Sequence, residues 1–63
     1  MEHYPIMRFF EYEHLPEPLR DVSRPCYMLA ERMASELPPG AEVSAGLRKL
    51  LEAKDCFVRA ALP

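Results

Sequence analysis

Cysteine is scarce in this 63-residue chain. Cys26 and Cys56 allow one bridge at most, too few for a disulfide framework. Histidine is equally rare, and His3 and His14 stand outside any CxxC or HxxxH spacing, which argues against a structural zinc site. Neither sign of charge dominates: eight basic residues face ten acidic ones, for a net charge of -2. That balance is too acidic for general coating of DNA or RNA, where counterion release demands a basic surface. No apolar run reaches the length of a membrane span, and Met1-Glu2-His3 lacks the basic region and apolar core of a signal peptide. Glycine-rich phosphate loops, a nucleophile elbow and a His–Glu metal motif are missing, and Ser23, Ser35 and Ser44 have no evident His–Asp partners. The expectation is a soluble cytosolic protein with reduced thiols, no cofactor, no metal and no enzymatic activity.

A chain this short hides only roughly 60% of its unfolded surface when it folds alone, so its stability is marginal. With disulfides and zinc set aside, oligomerisation is the leading remedy. The sequence divides into three parts of one domain, 1–63. Residues 1–16 carry four of the six aromatics, Tyr4, Phe9, Phe10 and Tyr12, together with Pro5 and Pro16. Proline fixes φ and biases its predecessor toward extended geometry, so this segment is expected to be an extended arm, strand-like around Met7 to Glu13. Extended geometry would place Phe10, Tyr12 and His14 on one side.

The second part, 17–37, is helical. Leu19, Val22, Cys26, Leu29, Met33 and Leu37 recur at steps of three and four, with Ala30 beside them. Pro18 suits a first turn. Pro25 lacks an N–H and crowds the carbonyl of Asp21, yet the stripe keeps its phase across it, so the sequence predicts a kink near Ser23 to Pro25, with Ser23 as a cap. Leu37-Pro38-Pro39-Gly40 ends the helix. The third part, 41–61, is rich in good helix formers and has an apolar face of Val43, Leu47, Leu50, Leu51, Phe57, Val58, Ala61 and Leu62. A short turn makes the two helices antiparallel. The fold class expected is all-α, an antiparallel helical hairpin with a kinked first helix and an extended aromatic arm, assembled as an oligomer.

Lys54 falls in the middle of the second helix's apolar face, where an unpaired ammonium would be costly. It either binds a phosphate or carboxylate ligand at a subunit junction, or reaches Glu11 or Glu13 of the arm, or escapes at an edge. Gly46, Ala53 and Ala60, with Cys56 adjacent, form a stripe of small residues that admits close helix approach, from a neighbouring subunit or from the first helix. Arg48 and Arg59 share one side and are candidate phosphate hooks; the alternative is a solvated face with Arg48 paired to Glu52. Arg20 and Arg24 carry the same ambiguity near the kink. Phe9 and Phe10 are expected to plug the open end of the hairpin, whereas Tyr12, with its polar tip, stays open to stacking on a base.

Phe10-Glu11-Tyr12-Glu13-His14-Leu15-Pro16 resembles the aromatic-x-Tyr…Pro motif of the short helical-hairpin domain found in phage anti-CBASS sponges, a domain shared with inhibitors of Thoeris defence. Leu29-Ala30, Leu37-Pro38, Glu42 and Leu47-Arg48-Lys49-Leu50-Leu51-Glu52-Ala53 extend the resemblance over roughly residues 9–61. The resemblance implies a kinked hairpin that assembles as a hexamer in the host cell cytoplasm and sequesters cyclic oligonucleotide messengers without cleaving them. Cyclic dinucleotides would bind between neighbouring subunits, with Tyr12 matching the stacking aromatic. The family's first-helix basic position falls near Ser23, with Arg24 as the substitute. The arginine that ends the second helix and serves a cyclic trinucleotide site falls at Pro63, with Arg59 one turn earlier. Lys54 stands where many relatives carry an apolar residue. Tyr12, Arg24, Lys54, Arg59, Phe10 and Arg48 are thus the candidate ligand contacts. The rival from another class is an oligomeric module whose aromatic arm grips a partner protein. A small transcriptional regulator is disfavoured by the acidic balance and the lack of a basic recognition helix.

Overall fold

Prolines open the first two helical elements and close the second. A computed structural model describes residues 4–63. It holds a 3-10 helix over Pro5–Phe10, helix α1 over Glu17–Glu36 and helix α2 over Ala41–Ala61, with no strand among the described residues. Pro18 lies in the first turn of α1, where a missing N–H costs no helical bond. The Arg20 N–H closes that turn onto the Pro16 carbonyl at 2.8 Å. At the other end the Leu37 N–H donates to the Met33 carbonyl at 3.2 Å, and Pro38 and Pro39 cannot continue the ladder. Helix α2 opens with the Ser44 N–H donating to the Gly40 carbonyl at 3.2 Å.

Across the hairpin, partners step down α1 as they step up α2. Met33 shares a groove with Val43, Ala30 shares the buried core with Leu47, and Cys26 lies within the field of Lys54. An antiparallel pair gives that order, and the connection at 37–40 is short enough to enforce it. The core is small. Phe10, Ala30 and Leu47 are the fully buried apolar residues, ringed by Tyr4, Ile6, Met7, Cys26, Tyr27, Ala34, Val43, Leu50 and Leu51. Small side chains at Ala30 and Ala34, with Ser23 on the same side of α1, leave room for the Phe10 ring against the helix. No helix among the described residues is long and apolar enough to cross a membrane.

The N-terminal segment differs from the extended arm expected from its prolines. Pro5 starts a helical turn as readily as it ends one, and the Met7 N–H donates to the Tyr4 carbonyl at 3.0 Å. A 3-10 helix stacks residues three apart, so Tyr4, Met7 and Phe10 face α1 together. An extended strand would have pointed Met7 and Phe10 to opposite sides. Phe9 is the price of that geometry: expected in the core, it is 52% exposed, and the Arg8 guanidinium lies 4.8 Å from its ring centroid. His3 lies outside the described residues.

Helix α1 runs unbroken through Pro25, so Ser23 is not a cap. It lies mid-helix and fully buried, with its hydroxyl unpaired. The gap in the ladder opens toward solvent, because Asp21 and Pro25 are both exposed and water can serve the Asp21 carbonyl. Burial of Ser23 before the proline and of Ala30 after it holds the helix against the rest of the fold on both flanks.

Candidate ligand cleft

After Phe10 the chain turns extended at Glu11 and then folds back, with the Leu15 N–H donating to the Tyr12 carbonyl at 3.0 Å. This short reversal lays the Tyr12 ring against Tyr27 of α1, with centroids 5.4 Å apart and planes inclined by 54°. Such tilted contact is a favoured aromatic geometry and holds both rings in place. It leaves no room for a third ring between them, so a planar ligand would stack on an outer face. The Tyr27 hydroxyl donates to Glu31 Oε2 at 3.2 Å, one turn along the helix. That hydrogen bond, with the carboxylate's charge, pushes the Tyr27 phenol above its ordinary pKa and keeps it a donor.

Around this pair opens a cleft of about 710 Å³ between the N-terminal segment and α1. Tyr4, Met7, Arg8, Tyr12, His14 and Tyr27 line it, with Glu11, Glu13 and Glu31 at its walls. The Tyr4 hydroxyl is buried with no hydrogen-bond partner. Arg20 and Arg24 precede Tyr27 by seven and three residues, and Glu31 follows it by four. At 100° per residue all four fall on one face of α1. That face reads cation, cation, aromatic, carboxylate.

Of the residues singled out in the sequence, Tyr12 lines the cleft and Arg24 is exposed one turn before its aromatic partner. Ser23, the aligned basic position, is inside the protein. Phe10 is 0% exposed, so as a ligand contact it is corrected: its ring supplies core and offers no surface. Arg48, Lys54 and Arg59 are on α2 and do not line the cleft. Lys54 does point inward, its side chain 11% exposed, but its partner is Asp55 at 3.1 Å and neither Glu11 nor Glu13. Arg59 donates to Cys56 Sγ at 3.3 Å. Among the described residues Arg32–Glu36 is the i,i+4 ion pair, and Arg48 makes none with Glu52.

Sequence reasoning passed over Tyr27, Glu31 and Arg8. The signal for Tyr27 was present: it is the one aromatic of α1 and sits off the apolar stripe, although its ring also packs against the core.

A second, apolar groove of about 360 Å³ runs between the helices, lined by Leu29, Met33, Leu37, Val43, Gly46 and Leu50. A side chain at Gly46 would meet nothing within 4 Å, so the small-residue stripe does not serve packing within the chain at that point. Comparison with family models, with curated proteins and with solved structures found no match, so the family resemblance stands on the residues that carry it.

Proposed function

We propose that this protein binds and sequesters cyclic oligonucleotide second messengers, cyclic dinucleotides foremost, without cleaving them, and so blocks CBASS-type antiviral signalling from the host cytoplasm. The observation that carries the reading is the Tyr12–Tyr27 contact at 5.4 Å on the mouth of a cleft, with Arg20 and Arg24 on the same face of α1. Stacked aromatics grip a base through its π-face, and guanidinium forks suit phosphate oxygens. Sequestration requires no hydrolytic step.

One chain supplies half of such a site. Within the cleft Arg8 and His14 face Glu11, Glu13 and Glu31, which is poor company for two phosphates. A two-fold arrangement of kinked hairpins would bring a second set of arginines to the same ligand, Arg48 and Arg59 of a neighbouring chain among them. The apolar groove along Leu29, Met33 and Leu50 is the face that a neighbour would cover, and six chains is the number the family resemblance implies. The trinucleotide site is the weaker half of the resemblance, because Pro63 stands where the terminal arginine would be.

The rival module needs a free aromatic arm to grip a partner protein. Here Phe10 is fully buried and the segment packs on its own hairpin. Tyr12→Ala tests the assignment by calorimetry with a cyclic dinucleotide. Affinity should fall about 5- to 150-fold, the worth of one base stack, while the oligomer persists. Unchanged affinity would remove Tyr12 from the site.

A further inference from the structure

We infer that the base read in this cleft is guanine, and that Glu31 is the residue that reads it. The inference rests on the proposal that the cleft takes a cyclic dinucleotide, and it assigns the base.

The cleft's polar inventory is unusual in what it omits. The chain contains no asparagine and no glutamine. Adenine presents a donor beside an acceptor, which the amide of either residue would match with its own acceptor and donor. The cleft's charged groups are instead the carboxylates of Glu11, Glu13 and Glu31 and the Arg8 guanidinium, beside His14, Ser35 and the tyrosine hydroxyls. Guanine is the common base whose Watson–Crick edge carries two adjacent donors, N1–H and the N2 amino group, and one carboxylate accepts both. Against adenine or cytosine the same carboxylate meets one donor and one lone pair. Against uracil it meets a single donor flanked by two carbonyl oxygens. On guanine's other edge, O6 and N7 are both acceptors, the pattern that arginine reads with two parallel hydrogen bonds. Arg8 lines the same cleft, its guanidinium held 4.8 Å from the Phe9 ring centroid.

Glu31 is singled out from Glu11 and Glu13 by its mounting. It stands on α1, not on the connecting turn, and its Oε2 is tethered by the Tyr27 hydroxyl at 3.2 Å. Its other oxygen has no hydrogen-bond partner among the described residues. A base stacked on the aromatic pair would present its edge toward the turn that carries Glu31. The phosphates would extend the opposite way, toward Arg24, which lies seven residues, or about 10 Å of helix, from Glu31. The order of groups along α1 therefore matches the order of groups along a guanine nucleotide. Glu31 is exposed, so water competes for it and the discrimination is modest.

The test is calorimetric titration of the full chain with cyclic di-GMP, cyclic di-AMP and cyclic di-UMP, repeated on Glu31→Gln with helicity checked by circular dichroism. Cyclic di-GMP should bind about tenfold or more tightly than the other two, the lower range of one bidentate base contact. Glu31→Gln should lose most of that advantage and gain relative affinity for cyclic di-AMP. Equal affinities in the unmodified protein would overturn the guanine assignment. A preference that survives Glu31→Gln would overturn the carboxylate as its source. Binding of none of the three would remove the sponge reading itself, and the inference with it.

Discussion

Ser23 carries a hydroxyl into the fully enclosed part of the hairpin, where no hydrogen-bond partner meets it. A buried polar group left unpaired is destabilising, whereas an alanine of nearly the same volume fits the same space without it. Ser23→Ala should therefore raise stability by about 1 kcal/mol, read as a rise in Tm of about 4–8 °C for a domain this small. An unchanged or lower Tm would mean that the hydroxyl is bonded in solution. The two thiols make a second contrast. Burial pushes the Cys26 thiol above its ordinary pKa of 9.0, and the Lys54 ammonium pulls weakly the other way. A folded-state pKa above the unfolded one means that the native protein holds the proton more firmly. Its contribution to stability is complete below about pH 9 and is lost as pH rises through the folded value. Cys56 is exposed. At pH 8 iodoacetamide should alkylate Cys56 about ten times faster than Cys26, or more, by mass spectrometry of the intact chain. Equal rates would contradict the burial of Cys26.

At the scale of elements, the 3-10 helix is what gives the hairpin enough core to stand. Phe10 spans both helices through Ala30 and Leu47, while Phe9, its neighbour, lies out under Arg8. Phe10→Ala should cost about 3–5 kcal/mol and leave the chain largely unfolded by circular dichroism, because domains this small hold little in reserve. Phe9→Ala should cost about 0.5–1 kcal/mol, the worth of an exposed cation–π contact. Equal effects would contradict the packing of the segment. The helices themselves were readable from the sequence: Pro16, Pro18 and Pro38 mark ends within one residue of Glu17–Glu36, and Gly40 marks the start at Ala41. The inward position of Lys54 followed from helical phase alone. The N-terminal segment was misread because Pro5 permits both extended and helical geometry. The spacing Tyr4, Met7, Phe10 decided between them only once α1 was there to receive it. The single helix through Pro25 was expected, but Ser23 was misread as its cap, since the helix starts at Glu17 and carries Ser23 buried in its interior. Tyr12 was read from the sequence as open to stacking on a base, and its packing on Tyr27 was not foreseen, because a contact between residues 15 apart depends on how the turn at Leu15 folds back.

For the whole molecule, the balance of apolar surface is the main fact. Among the described residues three apolar side chains are fully buried, while Met28, Leu29, Leu37, Phe57 and Leu62 remain 45–56% exposed. The molecule measures 38 × 18 × 15 Å, a slab two helices wide with one side closed by the N-terminal segment and the other left as an apolar groove. An aromatic cleft on one side and an unpartnered groove on the other are what a ligand site completed by a second chain would require. The central claim is that assembled chains hold a cyclic dinucleotide intact in the Tyr12–Tyr27 cleft. Native mass spectrometry with cyclic di-GMP tests it most directly, because one spectrum reports subunit number, ligand stoichiometry and ligand mass. The account predicts an oligomer carrying one ligand per two chains, with ligand of unaltered mass released on denaturation. A bare monomer with no ligand-bound species, or a bound ligand recovered in cleaved form, would contradict it.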